Sequence, residues 1–269
     1  MSEQPLTPAE VAILETFVVP RYLKSFAEAA LSAMLVGPEA RIAHLGCRTG
    51  FPDRELLALG EGCSVVGVDA SETAIHLARN KAATLKRARL EYRIAPTAES
   101  GLSPASFSHA FSLHPAASAR GELFAEMQRL LYSEGQALVS LPLRGSFQEL
   151  SDLLREYALK NDQGDLGRAV ETAAANRPTI ESLAEELEGA GFEDVDVDVR
   201  QVSLSFQGGR AFTEDPATRL MVLPDQEEYM GPTDFTEPLA YVSDAIGKYW
   251  SGRDFDLSLV IGTATARKA

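Results

Sequence analysis

Two glycines and one acidic residue in the first third of the chain have the types and spacing of a nucleotide-binding site. Gly46 and Gly50 lie in a turn that follows a short apolar run and precedes a helix start. Asp69 ends the next apolar run along the chain. Glycines let a ligand approach the backbone closely, and an acid at the end of the second strand accepts hydrogen bonds from ribose hydroxyls. The pattern predicts a site for a nucleotide-like ligand.

The elements that must position these residues alternate between strands and helices from residue 41 onward. Strands that alternate with helices predict a parallel sheet with right-handed crossovers. The apolar patterns predict strands at 42–45, 64–69, 89–95, 107–113 and 136–141, and helices at 53–59, 71–86 and 120–132, with Ser71 as an N-cap and a turn at Glu134–Gly135.

The flanking regions have different patterns. An N-terminal helical region contains Pro20, which we expect to kink or divide it. Two late strands separated by an insertion predict an antiparallel hairpin at the edge of the sheet. After Pro142, the predicted elements are helices at 147–159, 164–175 and 179–189, a strand at 192–206, helices around 213–222 and 237–249, and a closing strand at 255–264.

In this order, the elements resemble the class I S-adenosylmethionine-dependent methyltransferases over most of the chain. The resemblance is carried by the Gly-Cys-x-Thr-Gly turn, by Val65–Ser71, by Met127–Gly135 and by the Gly-Phe ending of Leu183–Phe192. It implies a Rossmann-like α/β fold with a mostly parallel seven-stranded sheet and an antiparallel terminal hairpin. The implied domains are N-terminal helices (1–40), the methyltransferase core (41–207), an insertion that forms a lid or an interaction surface (208–252), and a closing strand (253–269).

The resemblance also assigns ligand contacts. Asp69 matches the acid that binds the ribose, and Gly46 and Gly50 match the glycines that admit the cofactor. A helix-capping or strand-end acid is the alternative for Asp69. Two family positions are altered in the same loop, since His44 replaces the acid that helps to hold the cofactor's ammonium group and Arg48 replaces the middle glycine. Arginine lacks the conformational freedom of glycine and brings a positive charge towards a positively charged cofactor.

Two further departures lie after the third strand and in the fourth. Pro96 stands where the family has an acid near the adenine, and Ser108 stands where it has an acid after the aromatic residue of the fourth strand. Four of the five polar ligand positions are therefore altered. We interpret the chain as a degenerate, non-catalytic pseudoenzyme without a cofactor that acts through contact with a protein partner. The alternative is an active transferase that uses S-adenosylmethionine to methylate a small molecule.

Several residues are candidates for other chemistry. His114 follows the fourth strand and is the best candidate for a general base if the protein is active, although a solvated loop histidine is the expectation we favour. Cys47 requires a lowered pKa to act as a nucleophile, and packing explains it better. Arg48 with Thr49 at a helix start is a minority candidate for a phosphate or carboxylate site. We expect His109 in the sheet and His76 on the surface, and the four histidines predict no metal site.

Composition narrows the classes of function. The formal net charge is −14, from 39 acidic and 25 basic residues. Such a surface repels phosphate backbones and anionic membranes, so we expect neither a nucleic acid nor a membrane as a partner. Two cysteines without metal spacing, and no basic and apolar leader at Met1–Pro5, predict a cytoplasmic protein.

Overall fold

The computed structural model describes residues 6–85 and 89–269. The predicted helix end at Lys86 and the N-terminal residues Met1–Pro5 lie outside the described residues. Five strands alternate with helices and are followed by a helical segment and two long strands. The strands are β1 (Arg41–Leu45), β2 (Ser64–Asp69), β3 (Leu90–Ile94), β4 (Phe107–Leu113), β5 (Leu131–Pro142), β6 (Phe192–Phe206) and β7 (Phe255–Lys268).

The strands form one seven-stranded sheet in the order β3-β2-β1-β4-β5-β7-β6. The pairs of β1 with β2 and β4, of β2 with β3, and of β4 with β5 are parallel. β6 and β7 form the antiparallel hairpin that ends the sheet. The predicted fold class is therefore confirmed. Because the parallel strands share one direction, the loops after β1, β2 and β4 meet at their common carboxyl edge.

The helices begin with α1 (Pro8–Ile13), a π-helical segment (Leu14–Leu23) and α2 (Lys24–Ala33). Pro20 neither breaks the helix nor ends it, because the wider π winding accommodates the missing N–H group. Thr7 and Glu10 form a capping box at the start of α1. The remaining helices are α3 (Asp53–Leu57), α4 (Glu72–Ala83), α5 (Arg120–Leu130), α6 (Gln148–Lys160), α7 (Gly164–Asn176), α8 (Ile180–Gly189), α9 (Gly209–Glu214), α10 (Leu223–Met230) and α11 (Thr236–Tyr249), with a second π-helical segment at Thr218–Val222.

The start of β5 and the first helix of the insertion differ from their predicted bounds by several residues. β5 begins at Leu131 rather than Gln136, because Leu131 already pairs with Phe107 of β4 and an irregular register separates this pair from the next, His109 with Gln136. Glu134 absorbs the irregularity with a positive φ of 65°. In the insertion, the predicted helix at 213–222 is instead α9 followed by a π-helical segment, since the helical winding stops at Asp215, immediately before a proline.

Contacts between residues divide the chain into two compact units. The sheet unit comprises the described part of Ser2–Leu141, together with Ile180–Asp198 and Gly262–Ala269. The helical unit comprises Pro142–Thr179 and Val199–Ile261. Its helices α6 and α7 group with the segment 208–252 that was predicted as a separate insertion. The core of the sheet unit includes Phe107 and Phe111 of β4, and that of the helical unit includes Phe212 and Phe255, all fully buried.

Candidate functional site

The candidate site is built around the loop between β1 and α3, which we call the cofactor loop (residues 46–52). The backbone N–H groups of Gly46 and Cys47 both donate to the carbonyl oxygen of Val68, at 2.8 and 3.1 Å, which holds the loop against the end of β2. Gly46 and Gly50 have φ values of 72° and 75°, a conformation that glycine adopts without steric cost. The two glycines therefore have a conformational role in shaping the loop.

The surroundings of the two glycines differ. A Cβ atom on Gly46 would make only ordinary contacts, 3.6 Å from Thr97 and 3.8 Å from Ser112. A Cβ atom on Gly50 would lie 2.5 Å from the Tyr92 hydroxyl oxygen. Gly50 is thus required because a tyrosine from β3 occupies the space beside it. The space that a side chain would need is therefore open beside Gly46 and filled by Tyr92 beside Gly50.

His44 belongs to a buried hydrogen-bonded group at the end of β1. Its Nδ1 atom lies 2.6 Å from an Asp53 oxygen, and the other Asp53 oxygen accepts a hydrogen bond of 2.8 Å from Tyr92. Both His44 and Asp53 are almost completely buried. Burial, reinforced by Asp53, raises the pKa of Tyr92. An acid is therefore present at this end of the sheet, but its two oxygens are occupied by side chains of the protein.

Arg48 turns its side chain towards the end of β4. One guanidinium nitrogen donates to the carbonyl oxygens of Leu113 at 2.9 Å and Gly46 at 3.4 Å, and a second donates to that of His114 at 2.9 Å. The residue has a φ of 48°, the left-handed conformation that the family's glycine would adopt without strain. Burial lowers the pKa of the guanidinium and Asp69 raises it, and arginine keeps its charge at neutral pH.

Asp69 connects the cofactor loop to the following helix. One of its oxygens accepts a hydrogen bond of 2.9 Å from the backbone N–H of Arg48, and the other accepts one of 2.8 Å from Ser71. Ser71 caps α4 as predicted, since its hydroxyl accepts from the backbone N–H of Ala74. Asp69 is half-buried, and a carboxylate oxygen that accepts one hydrogen bond can accept another. The geometry agrees with both sequence-based interpretations, a ribose ligand and a strand-end cap.

His114 is not the solvated loop histidine that we favoured. Only 7% of its surface is exposed, because its ring packs edge-on against Tyr22 and Phe26 of the N-terminal helical region. Its Nε2 atom lies 3.3 Å from the Tyr22 hydroxyl. Its backbone, with a φ of 45°, supplies the carbonyl that Arg48 binds. A buried and packed imidazole is poorly placed to take a proton from a bound substrate.

The two altered positions outside the loop lie in different places. Pro96 is exposed and follows β3 at the carboxyl edge of the sheet. Ser108 lies at the start of β4, where its hydroxyl accepts from the backbone N–H of Arg41 at 2.9 Å and contacts the carbonyl of the same residue at 3.0 Å. Because Arg41 begins β1, Ser108 is at the opposite edge of the sheet from Gly46. Its replacement therefore has no direct effect on the candidate site, contrary to our expectation.

Cys47, His109 and His76 are the remaining residues that the sequence analysis considered. Cys47 is buried, and burial raises the pKa of its thiol well above the usual range, with Asp53 and Asp69 adding to the effect, so the conditions for a nucleophile are absent. His109 is buried and bonds to Ser108 and to the Leu35 carbonyl, whereas His76 is exposed beside Glu72, as predicted.

The candidate anion site at Arg48 and Thr49 is not formed as predicted. The Arg48 donors are directed at carbonyl oxygens, and Thr49 is completely buried. A carbonyl-bonded guanidinium and an inaccessible hydroxyl leave little for an anion to bind. Within residues 6–85 and 89–269, no group of three metal-binding side chains is present. In the same residues, none of the helices combines the length and hydrophobicity needed to cross a bilayer.

The aromatic residues of the insertion pack mainly within the helical unit. Phe212 is fully buried between Phe206 and Phe255, with ring centroids 5.1 and 5.3 Å away, and Trp250 packs on Phe255 at 5.0 Å. A cavity of about 600 Å³ lies beside Tyr157 and Met230 in the same unit. Packing within the unit therefore accounts for Phe212 and Trp250, two aromatic residues of the segment predicted as a lid or an interaction surface.

Comparisons with known proteins agree with this fold. Residues 42–135 match the model of a methyltransferase domain family. A comparison with curated protein sequences found no significant match. Among solved structures, the chain is similar to Haemonchus contortus phosphoethanolamine N-methyltransferase 2 in complex with phosphomonomethylethanolamine and S-adenosylhomocysteine, with a TM-score of 0.59 and 18% identity over 97% of this chain. The chain spans 57% of the length of that protein.

Two other solved structures show the range of proteins with this fold. A chain in the complex between the Haloferax volcanii Trm112 methyltransferase activator and a methyltransferase has a TM-score of 0.56 and 16% identity, with 100% of both chains covered. The cyclase SpnF has a TM-score of 0.52 and 17% identity, covering 97% of this chain and 80% of its own. The same fold thus supports different functions, and the site must decide the function. The chain has the class I methyltransferase fold, and its residues 42–135 match the methyltransferase domain family.

Proposed function

We propose that the chain is a degenerate methyltransferase-like protein that transfers no methyl group and acts through contact with another protein. The observation that carries the first part is the position of the Arg48 guanidinium, bonded to the main-chain oxygens of Gly46, Leu113 and His114. S-adenosylmethionine brings an ammonium and a sulfonium group to this edge of the fold. The guanidinium already uses the carbonyl oxygens there as hydrogen-bond acceptors, so they attract a second cation less. Its positive charge also repels the charged groups of the cofactor.

Two further contacts of the cofactor loop support the same proposal. The Asp53 carboxylate, which contacts His44 of β1, is also bonded to Tyr92 and is completely buried. It therefore offers no counter-charge to a ligand in the loop. Beside Gly50, the Tyr92 hydroxyl lies 2.5 Å from where a Cβ atom would be, so the protein itself packs against this glycine. Asp69 is, in this proposal, a remnant of the ribose site that now holds the backbone of the loop and the start of α4.

The test is a calorimetric titration of S-adenosylmethionine and S-adenosylhomocysteine into the whole chain. We expect no saturable binding at micromolar concentrations. The double variant Arg48→Gly and Pro96→Asp is expected to gain binding of S-adenosylhomocysteine, because it removes the internal cation and restores an acid near the adenine position. His44 is left unchanged in this variant, since an aspartate there would face the Asp53 carboxylate within the buried group.

A matched control separates the charge from the shape of the side chain. Arg48→Lys with Pro96→Asp keeps a cation in the loop and is expected to bind no better than the wild-type chain. Micromolar binding of either ligand to the wild-type chain would contradict the proposal and favour the alternative. That alternative is an active transferase that methylates a small molecule, with Asp69 on the ribose, and the half-buried position of Asp69 at the end of β2 is the observation in its favour.

The second part of the proposal, protein contact, rests on exposed apolar side chains of the helical unit. Leu159 of α6 is 83% exposed, and Tyr249 at the end of α11 is 40% exposed. The Haloferax volcanii structure shows a chain of this fold in complex with an activator protein. We expect Leu159→Glu to remove a protein that co-purifies with the tagged wild-type chain, while Leu35→Glu, a similarly exposed leucine in the sheet unit, retains it. Loss of the same protein in both variants would argue against a specific contact.

A further inference from the structure

The helical unit contains a cavity that is lined by positively charged residues. The cavity has a volume of about 320 Å³ and is lined by parts of the β5–α6 loop, α6, the end of α7 and α10. Three of its lining residues are arginines, namely Arg144, Arg155 and Arg177, and none of the described residues that line it is acidic. The chain as a whole has a net charge of −14. A cavity lined by three cations is therefore a specific feature of this region rather than a property of the general surface.

Arg177 is the buried member of the three and is held rigidly. Only 3% of the residue is exposed, and its guanidinium lies between the rings of Phe147 and Tyr229, 5.1 and 4.8 Å from their centroids. One terminal nitrogen lies 2.5 Å from an Asp225 oxygen and 3.3 Å from the Gln226 side-chain oxygen. The other terminal nitrogen, Nη1, makes no hydrogen bond with any of the described residues.

A buried donor without a partner is uncommon, because it has lost its water without gaining a protein acceptor. The cost of leaving a charged group in this state is about 1–3 kcal/mol or more. Arg177 is among the residues that line the cavity, so this cation stands at the cavity wall. The aromatic rings and Asp225 fix the guanidinium before any ligand arrives, which reduces the entropy that binding would lose.

The other two arginines contribute differently. Arg144 is exposed, and one of its nitrogens donates to the Ala175 carbonyl oxygen. Arg155 is partly exposed and pairs with Asp152 at 2.7 Å and Glu171 at 2.6 Å, and neither of these acids lines the cavity. Arg144 therefore supplies a charge for which the described part of the chain shows no ion pair. Arg155 adds a positive field whose strength is reduced by its two partners.

We propose that this cavity, which we call the arginine pocket (Arg144, Ser146, Ser151, Arg155, Arg177 and Gln226), binds a small molecule through a phosphate group. A phosphate presents three acceptor oxygens to donors from several directions, whereas a carboxylate presents two in one plane. The donors here come from separate elements around the cavity, which favours the tetrahedral group. A volume of about 320 Å³ is at the lower end for ligand sites, so the molecule is small. The proposal involves no residue of the cofactor loop and is independent of the proposed function.

The experiment is a calorimetric titration of the whole chain with inorganic phosphate, glycerol phosphate and acetate at constant ionic strength. We expect saturable binding of phosphate and no comparable binding of acetate. Tighter binding of glycerol phosphate than of inorganic phosphate would identify an organic phosphate as the ligand, and the reverse would identify the free ion. Both results support the pocket, while equal binding of acetate, or no binding of phosphate, would overturn it.

Variants at exposed arginines keep the test independent of folding. Arg144→Ala is expected to weaken phosphate binding about tenfold, the effect of losing one charge-assisted hydrogen bond. Arg168→Ala, on the outer part of α7, is the matched control, because Arg168 is also exposed, pairs with Asp165 and does not line the pocket. We expect its affinity to stay within about twofold of the wild-type value. Equal losses in both variants would indicate nonspecific attraction by surface charge and would overturn the assignment.

Discussion

Two arginine side chains, Arg48 in the sheet unit and Arg177 in the helical unit, differ in how completely their guanidinium nitrogens are hydrogen-bonded. Arg48 is half-buried and its terminal nitrogens bond to three carbonyl oxygens. Arg177 is almost completely buried, but its Nη1 atom makes no hydrogen bond with any of the described residues. The less buried cation is thus the better satisfied of the two.

This difference separates a position that the protein fills from one that it leaves for a ligand. Burial alone would single out Arg177, and loop glycines alone would single out the region of Arg48. What distinguishes them is the number of donors that remain without an acceptor, because an unpaired charged donor gains more from a ligand than a paired one does. On this criterion, the cofactor loop is occupied by the protein itself and the arginine pocket is open to an anion.

The largest expected effect on stability is at Arg177. Replacing Arg177 by Met removes the cation that lies 2.5 Å from an oxygen of the buried Asp225 carboxylate. We expect the free energy of unfolding to fall by about 3–5 kcal/mol, as for other broken buried pairs. Urea denaturation followed by circular dichroism measures the change. The double variant Arg177→Met and Asp225→Leu should recover most of the loss, and a single-variant cost below about 1 kcal/mol would mean that water already solvates the pair.

Arg48 is expected to have the second largest effect, with a distinguishing feature. Arg48→Met removes the hydrogen bonds to three carbonyl oxygens and should lower the free energy of unfolding by about 2–3 kcal/mol. Arg48→Gly removes the same bonds but relieves the positive φ of 48°, so it should be about 1 kcal/mol more stable than Arg48→Met. The same urea titrations compare the two variants. A glycine variant less stable than the methionine variant would show that the backbone at this position is unstrained.

The buried group behind the cofactor loop offers a third comparison. His44→Phe keeps a ring beside Phe111 but leaves one Asp53 oxygen without its partner. We expect a loss of about 2 kcal/mol in the free energy of unfolding, measured by urea titration. His44→Asn, whose amide nitrogen can replace Nδ1 as a donor, should lose less. If the two variants are equally destabilised, the loss comes from packing of the ring rather than from the hydrogen bond.

Much of the fold follows from local sequence patterns, whereas the hydrogen bonds within the candidate site do not. The bounds of β2, β4 and β6 agree with the predicted strands, because runs of apolar residues and the cap at Ser71 act within a few residues. The start of β5 could not be predicted, since it depends on an irregular register with β4.

The candidate site shows the same limit at longer range. Sequence identified Asp69 and the altered positions His44 and Arg48. It could not identify the acceptors of Arg48, which belong to residues at the end of β4, or the pairing of His44 with Asp53. The sequence pattern predicted only that Asp53 begins a helix, not that its carboxylate pairs with His44. Such contacts are set by the packing of distant segments, for which neither spacing nor residue type gives a signal.

The smallest expected effect, at Arg155, tests whether the arginine pocket is built for stability or for binding. Arg155 lines the pocket but pairs with two acids that are each about two-thirds exposed, so Arg155→Ala should change the free energy of unfolding by less than about 1 kcal/mol in urea titrations. Phosphate binding should nevertheless weaken, because one of the three positive charges around the cavity is removed. A loss of stability as large as that of Arg177→Met, with unchanged phosphate affinity, would show that the arginines serve the fold. A loss of affinity without a loss of stability is what a ligand site requires, since its charges are retained for a partner that the chain itself does not supply.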